Sequence, residues 1–545
     1  MSLRGGPSLD GGGEPPWGTL SCSGVVGETL VGESLSKRER RAALNAAVRD
    51  LRAAEGGQRR RAVRQLVELG GREALESVVE MLGDEAGEAA DEAQVRLPAM
   101  EESAGTEALV RALAGLDGLR SKSPMARLRA AETFGRLVGP VDGPKVLARL
   151  DRRDEASARA LFWSLERLAR AGRLLGTDAL ADRVDQRLRG KLADPVRAAA
   201  IQCLSALRPS APGAQVVGTS GLGQVRGDGP EAEASRLLAV AGLAGVDSAA
   251  EARAQAALRT ALSAERPGPR ALAIDLFGRV RCGRADLEAL AARIESEPRP
   301  ALRRRVVGRL QSLTGWKHRE RREAWDHAIA RLPEDWIHDP SADPSTGSTR
   351  SRGAGRARLE PSSVAALERF EPASDRIAVL VDFSGSLWTK RDDGTCRKEL
   401  LDPEMDRLLG RLELGSRLWL IPYTAEPHPW TKAPVTMTRQ TLAAAKKFFR
   451  GARMRGQGNL YGALEVALQD ADLDRVLIFT DGAPTGGERW NVDLMIELIL
   501  ERLRFRPVAL DFVLLDAPRR LESRWRRLSA QTGGRTLAIS TLDSK

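Results

Sequence analysis

The sequence predicts a multidomain chain with two unlike parts, an all-α repeat region followed by an α/β domain with a mainly parallel sheet. In the first part, apolar residues recur at helical spacing in pairs of helices joined by short turns. In the second part, strand-like apolar runs alternate with helical segments, which is typical of parallel sheets. At 545 residues the chain is too long for one ordinary hydrophobic core.

The helical region repeats its own pattern. Residues 61–70 followed by 74–84, and residues 126–137 followed by 144–150, each predict a helix, a short turn and a second helix. Further helices begin with an acid or a proline, then an arginine, then alanines and leucines at helical spacing, near Asp154, Asp194, Pro269 and Pro300. With a spacing of roughly 30 to 45 residues these units resemble HEAT repeats, which stack into a solenoid because one helix pair cannot bury its own apolar face.

Composition sets the expected boundaries. Residues 1–36 are rich in Gly and Ser and are predicted to be disordered, and residues 37–337 form the HEAT-like domain, interrupted by a Gly-rich loop at 212–230. Residues 338–370 lack an apolar period and are predicted to be a flexible linker before the α/β domain at 371–545. The helical region closes with aromatic residues that predict a cap over its last helix face, namely Trp316, Trp325 and Trp336.

The α/β domain is predicted from apolar runs and from helical spacing. Strands are expected near 376–382, 417–423, 475–480, 508–515 and 535–539. Helices are expected near 397–413, 438–452, 460–470, 491–505 and 521–531.

The most informative stretch is the strand that ends in Asp382. Ser384 and Ser386 follow it at alternating positions on a Gly-containing loop. Open α/β sheets bind ligands at the carboxyl ends of their parallel strands. A carboxylate and two hydroxyls are hard oxygen donors, which suit Mg²⁺, Mn²⁺ or Ca²⁺ rather than zinc.

This stretch resembles the Asp-x-Ser-Gly-Ser signature of von Willebrand factor A (VWA) domains, where it forms the first part of a metal-ion-dependent adhesion site (MIDAS). A later strand, residues 475–480, ends in Asp481 and is similar to the last loop of that site. The middle loop, which usually carries a Thr in a Gly-Thr-Asn-Leu-Tyr context, is similar to residues 456–464, but Gly458 stands in the position of the Thr. The resemblance covers about residues 370–545 and implies a Rossmann-like sheet.

The resemblance also implies roles for these residues. Ser384 and Ser386 would bind the cation through their hydroxyls, and Asp382 and Asp481 would supply negative charge directly or through water. One position on the cation would stay open for an Asp or Glu of a protein partner. Asn459, a water molecule or backbone atoms are the alternatives for the ligand that Gly458 does not provide.

Net charge and cysteine usage narrow the class of partner and the compartment. The chain carries a net charge of +11, which agrees with nucleic acid or acidic partners. Arginine-rich clusters at 37–41, 59–61, 303–305 and 350–358 fit either solvated helix faces and a soluble linker or contacts to phosphates. The cysteines are scattered and are predicted to be free thiols, at Cys22, Cys203, Cys282 and Cys396.

No apolar run approaches the ~20 residues of a membrane helix, and the N-terminus has no signal-peptide pattern, so we expect a cytoplasmic location. Catalysis is not expected either. Haloacid-dehalogenase phosphatases have a second acid where this chain has Ser384, and neither site serine lies in a Gly-x-Ser-x-Gly elbow.

The sequence therefore favours a non-enzymatic protein–protein interaction scaffold, in which the VWA domain binds an acidic partner residue through a divalent cation. An RNA-binding ribonucleoprotein component is the first alternative, because HEAT-like repeats followed by a VWA domain resemble the Ro family in architecture. An adaptor for an AAA+ chaperone, a role that VWA proteins often have, is the second alternative.

Overall fold

The structure is a computed structural model that describes residues 35–151, 153–208, 229–242, 244, 248–340, 357–358, 374–390 and 394–540. The predicted disordered segment 1–36, the Gly-rich loop 212–230 and the linker 338–370 lie mostly outside these residues, as does Cys22. The described cysteines are free and buried, as predicted.

The first region is almost entirely helical, as the sequence predicts. Its helices are α1 Lys37–Asp50, α2 Gly56–Leu69, α3 Arg72–Glu80, α4 Gly87–Arg96, α5 Glu101–Ala104, α6 Thr106–Leu113, α7 Pro124–Phe134, α8 Gly143–Leu147, α9 Glu155–Arg170, α10 Thr177–Leu188, α11 Asp194–Leu207, α12 Pro230–Gly242, α13 Ser248–Ala261, α14 Pro267–Leu276, α15 Arg284–Ser296, α16 Pro300–Thr314 and α17 Arg322–Ile329. Short strand pairs join loops of this region, β1 Val141–Asp142 with β2 Leu174–Leu175, and β3 Cys282–Gly283 with β4 Ile337–His338.

The helices stack in two rows, as in a solenoid. We call the first row the series in which each helix packs on the next, α2, α4, α7, α9, α11, α12, α14 and α16. The remaining helices form the second row, where α3 packs on α6, α8 on α10, α13 on α15 and α15 on α17.

A recurring arginine explains how neighbouring repeats are joined. Arg59 donates to the carbonyls of Ala53 and Ala54, before its own helix, and pairs with Asp84 at the start of the next repeat. Arg127 with Asp154 and Arg270 with Glu297 repeat this arrangement. An arginine thus contacts an acid of the next repeat at three levels of the stack, between α2 and α4, between α7 and α9, and between α14 and α16.

The second region is an α/β domain with a mainly parallel sheet. Its strands are β5 Ala357–Arg358, β6 Arg376–Asp382, β7 Arg417–Tyr423, β8 Val435–Thr436, β9 Arg475–Thr480, β10 Ala509–Leu515 and β11 Thr536–Ser540. They lie in the order β5-β11-β10-β9-β6-β7-β8, and only the short edge strand β8 runs antiparallel to its neighbour. The helices are α18 Arg397–Gly410, α19 Arg439–Gly451, α20 Leu460–Ala467, α21 Val492–Leu503 and α22 Arg519–Gln531.

Helices cover both faces of this sheet, which is why its strands read as continuous apolar runs. On β6, Val379 and Val381 pack into the core beneath α18 and α19. Ala378 and Leu380 face the opposite core, beneath α20 and α21. The predicted strands of this region are confirmed to within a residue at each end.

The predicted linker is wrong in one respect, and two predicted boundaries shift. Ala357 and Arg358, inside the predicted flexible linker, form β5 and pair with Ile539 and Ser540 of β11. A two-residue strand has no apolar period of its own, so the pattern of residues 338–370 did not reveal it. His338 belongs to β4, and Ser36 caps α1 in a capping box with Glu39.

The end of the helical region is closed by aromatic rings, as predicted. Trp325 is fully buried and lies 6.1 Å from Trp316, centroid to centroid, and 5.1 Å from His318. Among the described residues, no helix has the length and apolar character needed to cross a lipid bilayer.

The two regions share a buried interface. Helix α21 lies against the first row, where Trp163 of α9 packs with Leu494 and Leu498. At the far end of the interface, Arg299 pairs with Asp472 at 2.9 Å. The α/β domain therefore covers part of the solenoid surface.

Candidate metal centre

Three loops of the α/β domain meet at the carboxyl ends of adjacent strands β6 and β9. Asp382 ends β6 and is only 6% exposed. One of its carboxylate oxygens accepts a hydrogen bond from the Ser384 amide at 2.9 Å, and the other accepts one from the Thr480 hydroxyl at 3.0 Å. These two donors fix the orientation of the carboxylate.

The hydroxyls of the first loop converge as the sequence predicts. Ser384 Oγ and Ser386 Oγ lie 3.2 Å apart. The loop turns through a short 3₁₀ helix, Gly385–Trp388, and the Gly385 amide donates to the Gly456 carbonyl at 3.1 Å. The first loop is thus attached directly to the middle loop.

Gly458 lies where the alignment places it. A Cβ atom added at this residue would stand 3.1 Å from both carboxylate oxygens of Asp382. A side chain at position 458 would therefore point at the Asp382 carboxylate, and without a Thr there the site lacks one hydroxyl ligand.

The neighbours of Gly458 show which groups are available to replace the missing hydroxyl ligand. Asn459 is used elsewhere, because its side chain caps α20 at the Gly462 amide and donates to the Ala425 carbonyl. The hydroxyl of Thr485 accepts a hydrogen bond from the Gly458 amide at 2.7 Å. Thr485 is not among the residues that the sequence pattern assigns to the site.

Asp481 brings a second acid to the same edge of the sheet. Burial, together with the nearby charge of Asp481, raises the pKa of Asp382 to about 6, against the lowering effect of its hydrogen bonds. Burial and the charge of Asp382 also raise the pKa of Tyr423, the last residue of β7. Across the described residues, no Lys, Arg or His forms an ion pair with Asp382 or Asp481.

The donor set fits a hard divalent cation. Two carboxylates and two hydroxyls provide only oxygen atoms, and Mg²⁺ keeps several waters when few protein ligands are present. The described part of the chain contains no cluster of three His, Cys, Asp or Glu side chains suited to a metal. A cation here would therefore depend on the serine hydroxyls.

The rim of the site carries two positioned arginines. Arg455 is exposed, and its guanidinium lies 4.8 Å from the ring centroid of Trp388, which itself donates to the Met454 carbonyl. Arg397 pairs with Asp516 at 2.8 Å and donates to the Ser386 carbonyl at 2.7 Å. Asp516 adopts the left-handed backbone region, at φ 53°, a conformation that is uncommon for residues other than glycine.

Comparisons with known proteins describe the fold and no more. No protein-family model matches the chain, and no curated protein sequence matches it. Among solved structures, an aerotolerance-related membrane protein from Bacteroides fragilis NCTC 9343 is 13% identical and covers 31% of this chain and 91% of its own length, with a TM-score of 0.23. An uncharacterized membrane spanning protein from Vibrio fischeri covers the same shares at 13% identity, with a TM-score of 0.15.

The RO (RSR) protein of Deinococcus radiodurans is similar over more of the chain. It is 14% identical and covers 91% of this chain and 90% of its own length, with a TM-score of 0.21. Scores this low carry no argument about ligands or activity.

Proposed function

We propose that this protein is a non-enzymatic scaffold whose α/β domain captures an acidic side chain of a protein partner through a divalent cation. The observation that carries the proposal is the convergence of the Ser384 and Ser386 hydroxyls, 3.2 Å apart, beside buried Asp382. Asp481 adds a second acid, and no described basic side chain neutralises the pair. Buried charge of one sign is costly unless a counter-ion is present.

The cation would be held by a small set of residues. Ser384, Ser386 and Asp382 or Asp481 would hold it, and bound Mg²⁺ would supply a positive centre with coordination positions left for water or a carboxylate. Thr480 and the Ser384 amide keep the Asp382 carboxylate oriented toward the site. Gly458 provides no hydroxyl ligand, so we expect weaker cation binding than a Thr at this position would give.

Charge on the rim favours an acidic partner. Arg455 is exposed, is supported by the Trp388 ring, and has no acidic partner among the described residues. A guanidinium held over an aromatic ring loses little freedom when it binds a carboxylate. Arg455 therefore provides a second contact for a partner segment with two acidic side chains.

Calorimetry with Mg²⁺ and Mn²⁺ on the whole chain tests the cation. The wild type should bind, and a variant with Ser384→Ala and Ser386→Ala should not, because both hydroxyl ligands are gone. Ser523→Ala is a matched control, since that hydroxyl is exposed on α22 and donates to the Arg520 carbonyl of the same helix. Equal binding by the double variant and the wild type would refute the proposed cation site.

Capture of a partner from native lysate, with Mg²⁺ or with EDTA, tests the second step. We expect capture that is lost with EDTA and with Asp382→Ala, and weakened by Arg455→Ala without a change in Mg²⁺ affinity. A partner retained equally under all these conditions would eliminate the cation-dependent mechanism.

RNA binding is the second candidate, and the net charge of +11 favours it. Two members of the predicted basic clusters form ion pairs within the helical region, whereas Lys37, Arg38 and Arg61 are exposed. Arg59 pairs with Asp84, and Arg305 pairs with Asp275 at 3.2 Å. Filter binding with structured and single-stranded RNA over a salt series tests this candidate, and an absence of binding at low salt would eliminate it.

A further inference from the structure

The last loop of the candidate site continues into the interface with the helical region. We call residues 481–491 the docking loop. Its first residue, Asp481, lies at the site, and its residues 488–491 contact helices α4 and α7 of the first row. One short segment thus belongs both to the site and to the interface between the two regions.

The site end of the docking loop is fixed to the middle loop. The Thr485 and Gly486 amides donate to the Gly458 carbonyl at 3.1 and 3.2 Å. The Thr485 hydroxyl accepts from the Gly458 amide at 2.7 Å. These bonds tie the docking loop to the residue that faces the Asp382 carboxylate.

The other end is fixed to the solenoid by a buried arginine. Arg489 is 1% exposed and donates to both carboxylate oxygens of Glu132 at 3.0 Å, and to Gln94 Oε1 at 2.7 Å. Gln94 Nε2 in turn donates to Glu132 at 2.6 Å. A guanidinium that binds a carboxylate through one nitrogen and an amide oxygen through another has a defined geometry rather than a diffuse attraction.

Backbone contacts add to this anchor. Asp91 accepts hydrogen bonds from the Trp490 and Asn491 amides at 2.6 and 3.0 Å. Arg129 donates to the Glu488 carbonyl. Gly87 allows the close approach, because a Cβ at that position would stand 2.3 Å from the Gly487 carbonyl oxygen.

The segment that connects the two ends of the docking loop is short. Three residue steps separate Thr485, bound to Gly458, from Glu488, bound to Arg129. Three residues span at most about 11 Å when fully extended. A shift of the anchored end therefore moves the site end.

We infer that the helical region positions the candidate cation site, with Arg489 as the positioning residue. Resting on the proposed function, the inference adds that docking onto helices α4 and α7 and cation binding stabilise each other. Such coupling is reciprocal. A change that destabilises the docked conformation of the loop therefore lowers the affinity for the cation, and bound cation stabilises the docked conformation.

The chain offers a matched control for this inference. Arg504, just after α21, makes a bidentate pair with Glu166 of α9, with both distances 2.6 Å, and lies outside the docking loop. Breaking this pair weakens the same interface without touching residues 481–491. A comparison of the two arginines separates positioning of the site from a general loss of domain contact.

The test compares the wild type, Arg489→Lys, Glu132→Gln and Arg504→Lys as full chains whose circular dichroism shows them folded. Titration with Mg²⁺ should show at least a fivefold loss of affinity in Arg489→Lys and Glu132→Gln, and less than a twofold change in Arg504→Lys. Hydrogen exchange without cation should be faster in residues 482–487 for the first two variants alone. Mg²⁺ added to the wild type should slow exchange in residues 488–491.

The outcomes are distinguishable. Unchanged affinity in Arg489→Lys and Glu132→Gln, or an equal loss in Arg504→Lys, would overturn the inference while the proposed cation site stands. If the wild type binds neither Mg²⁺ nor Mn²⁺, the proposed function fails. Hydrogen exchange in residues 482–487 then remains as the test of whether Arg489 positions the loop. Equal exchange rates in the Arg489 and Arg504 variants would refute this role.

Discussion

Two regions of this molecule contain a pair of interacting carboxylates, and only one of these regions supplies basic side chains that balance their charge. At the domain interface, Asp91 and Glu132 lie with Arg129 and Arg489, and every one of these side chains is almost completely buried. Burial lowers the pKa of Arg489, but the charges of Glu132 and Asp91 outweigh that effect and raise it. At the candidate site, the charge of Asp481 acts on buried Asp382, and neither acid has a described basic side chain as ion-pair partner.

The difference separates a structural cluster from a site that is suited to a ligand. At the interface, arginine side chains neutralise the buried acids, and these ion pairs fix how the two regions pack together. Where it does not, the folded protein holds unfavourable negative charge that an external cation would relieve. Negative charge without a basic partner is therefore the feature that favours a cation at the candidate site.

Breaking the neutralised cluster should have the largest effect. Glu132→Ala leaves Arg489 buried without its bidentate partner, so the free energy of unfolding should fall by about 3–5 kcal/mol. Denaturant unfolding followed by circular dichroism measures this. Glu107→Ala is the control, because its pair with Arg111 is exposed and should contribute little. Equal effects of the two substitutions would contradict the comparison.

Asp474 tests whether an acid whose pKa is raised by burial is enough by itself to create a cation site. Asp474, just before β9 and away from the site, has its pKa raised to about 6 by burial, although its hydrogen bond from Ser374 lowers it. Because the folded-state pKa is above the unfolded one, the stabilising effect is present below about pH 4 and is lost as pH rises to about 6. The loss should be about 2–3 kcal/mol.

Asp474→Asn should remove that part of the pH dependence and leave Mg²⁺ affinity unchanged. Unfolding measured from pH 4 to 7 for the variant and the wild type checks the first expectation, and calorimetry checks the second. A change in cation affinity would show that the two acids are not independent.

Removing a charge at the unbalanced site should have the opposite sign to Glu132→Ala. Asp382→Asn keeps the shape of the side chain and relieves repulsion with Asp481, so the protein without cation should gain about 1 kcal/mol of stability. The same variant should not bind Mg²⁺. Thermal unfolding with EDTA and with Mg²⁺ measures both effects, and a destabilised variant in EDTA would argue for a structural role of Asp382.

The smallest expected effect is a gain at Gly458. Gly458→Thr supplies the hydroxyl that the site lacks and should raise Mg²⁺ affinity about threefold, or about 0.6 kcal/mol. Gly458→Val is the matched control, since it has the same branched shape without the hydroxyl. A Cβ here meets the Asp382 carboxylate at 3.1 Å, so Val should weaken binding. Equal affinities of the Thr and Val variants would mean that no cation lies within reach of residue 458.

Local patterns were sufficient for most of the fold. The continuous apolar run of residues 376–382 identified a strand buried on both faces, and helical spacing identified the repeats. Period and side-chain chemistry are properties of neighbouring residues, so they can be read without a structure. Strand β5 was not predicted, because its two residues have no pattern of their own and pair with a strand about 180 positions later in the chain.

Some features of the candidate site were likewise predictable from the sequence, and others were not. The sequence by itself determined that Asp382, Ser384, Ser386 and Asp481 lie at the carboxyl ends of strands, because apolar runs end at or next to them. Only the tertiary structure decided that Asn459 is engaged as a helix cap, that Thr485 binds the Gly458 amide, and that Arg489 anchors the loop to Glu132. The Arg489–Glu132 contact joins residues 357 positions apart, and such pairings follow from how two domains pack rather than from any pattern along the chain.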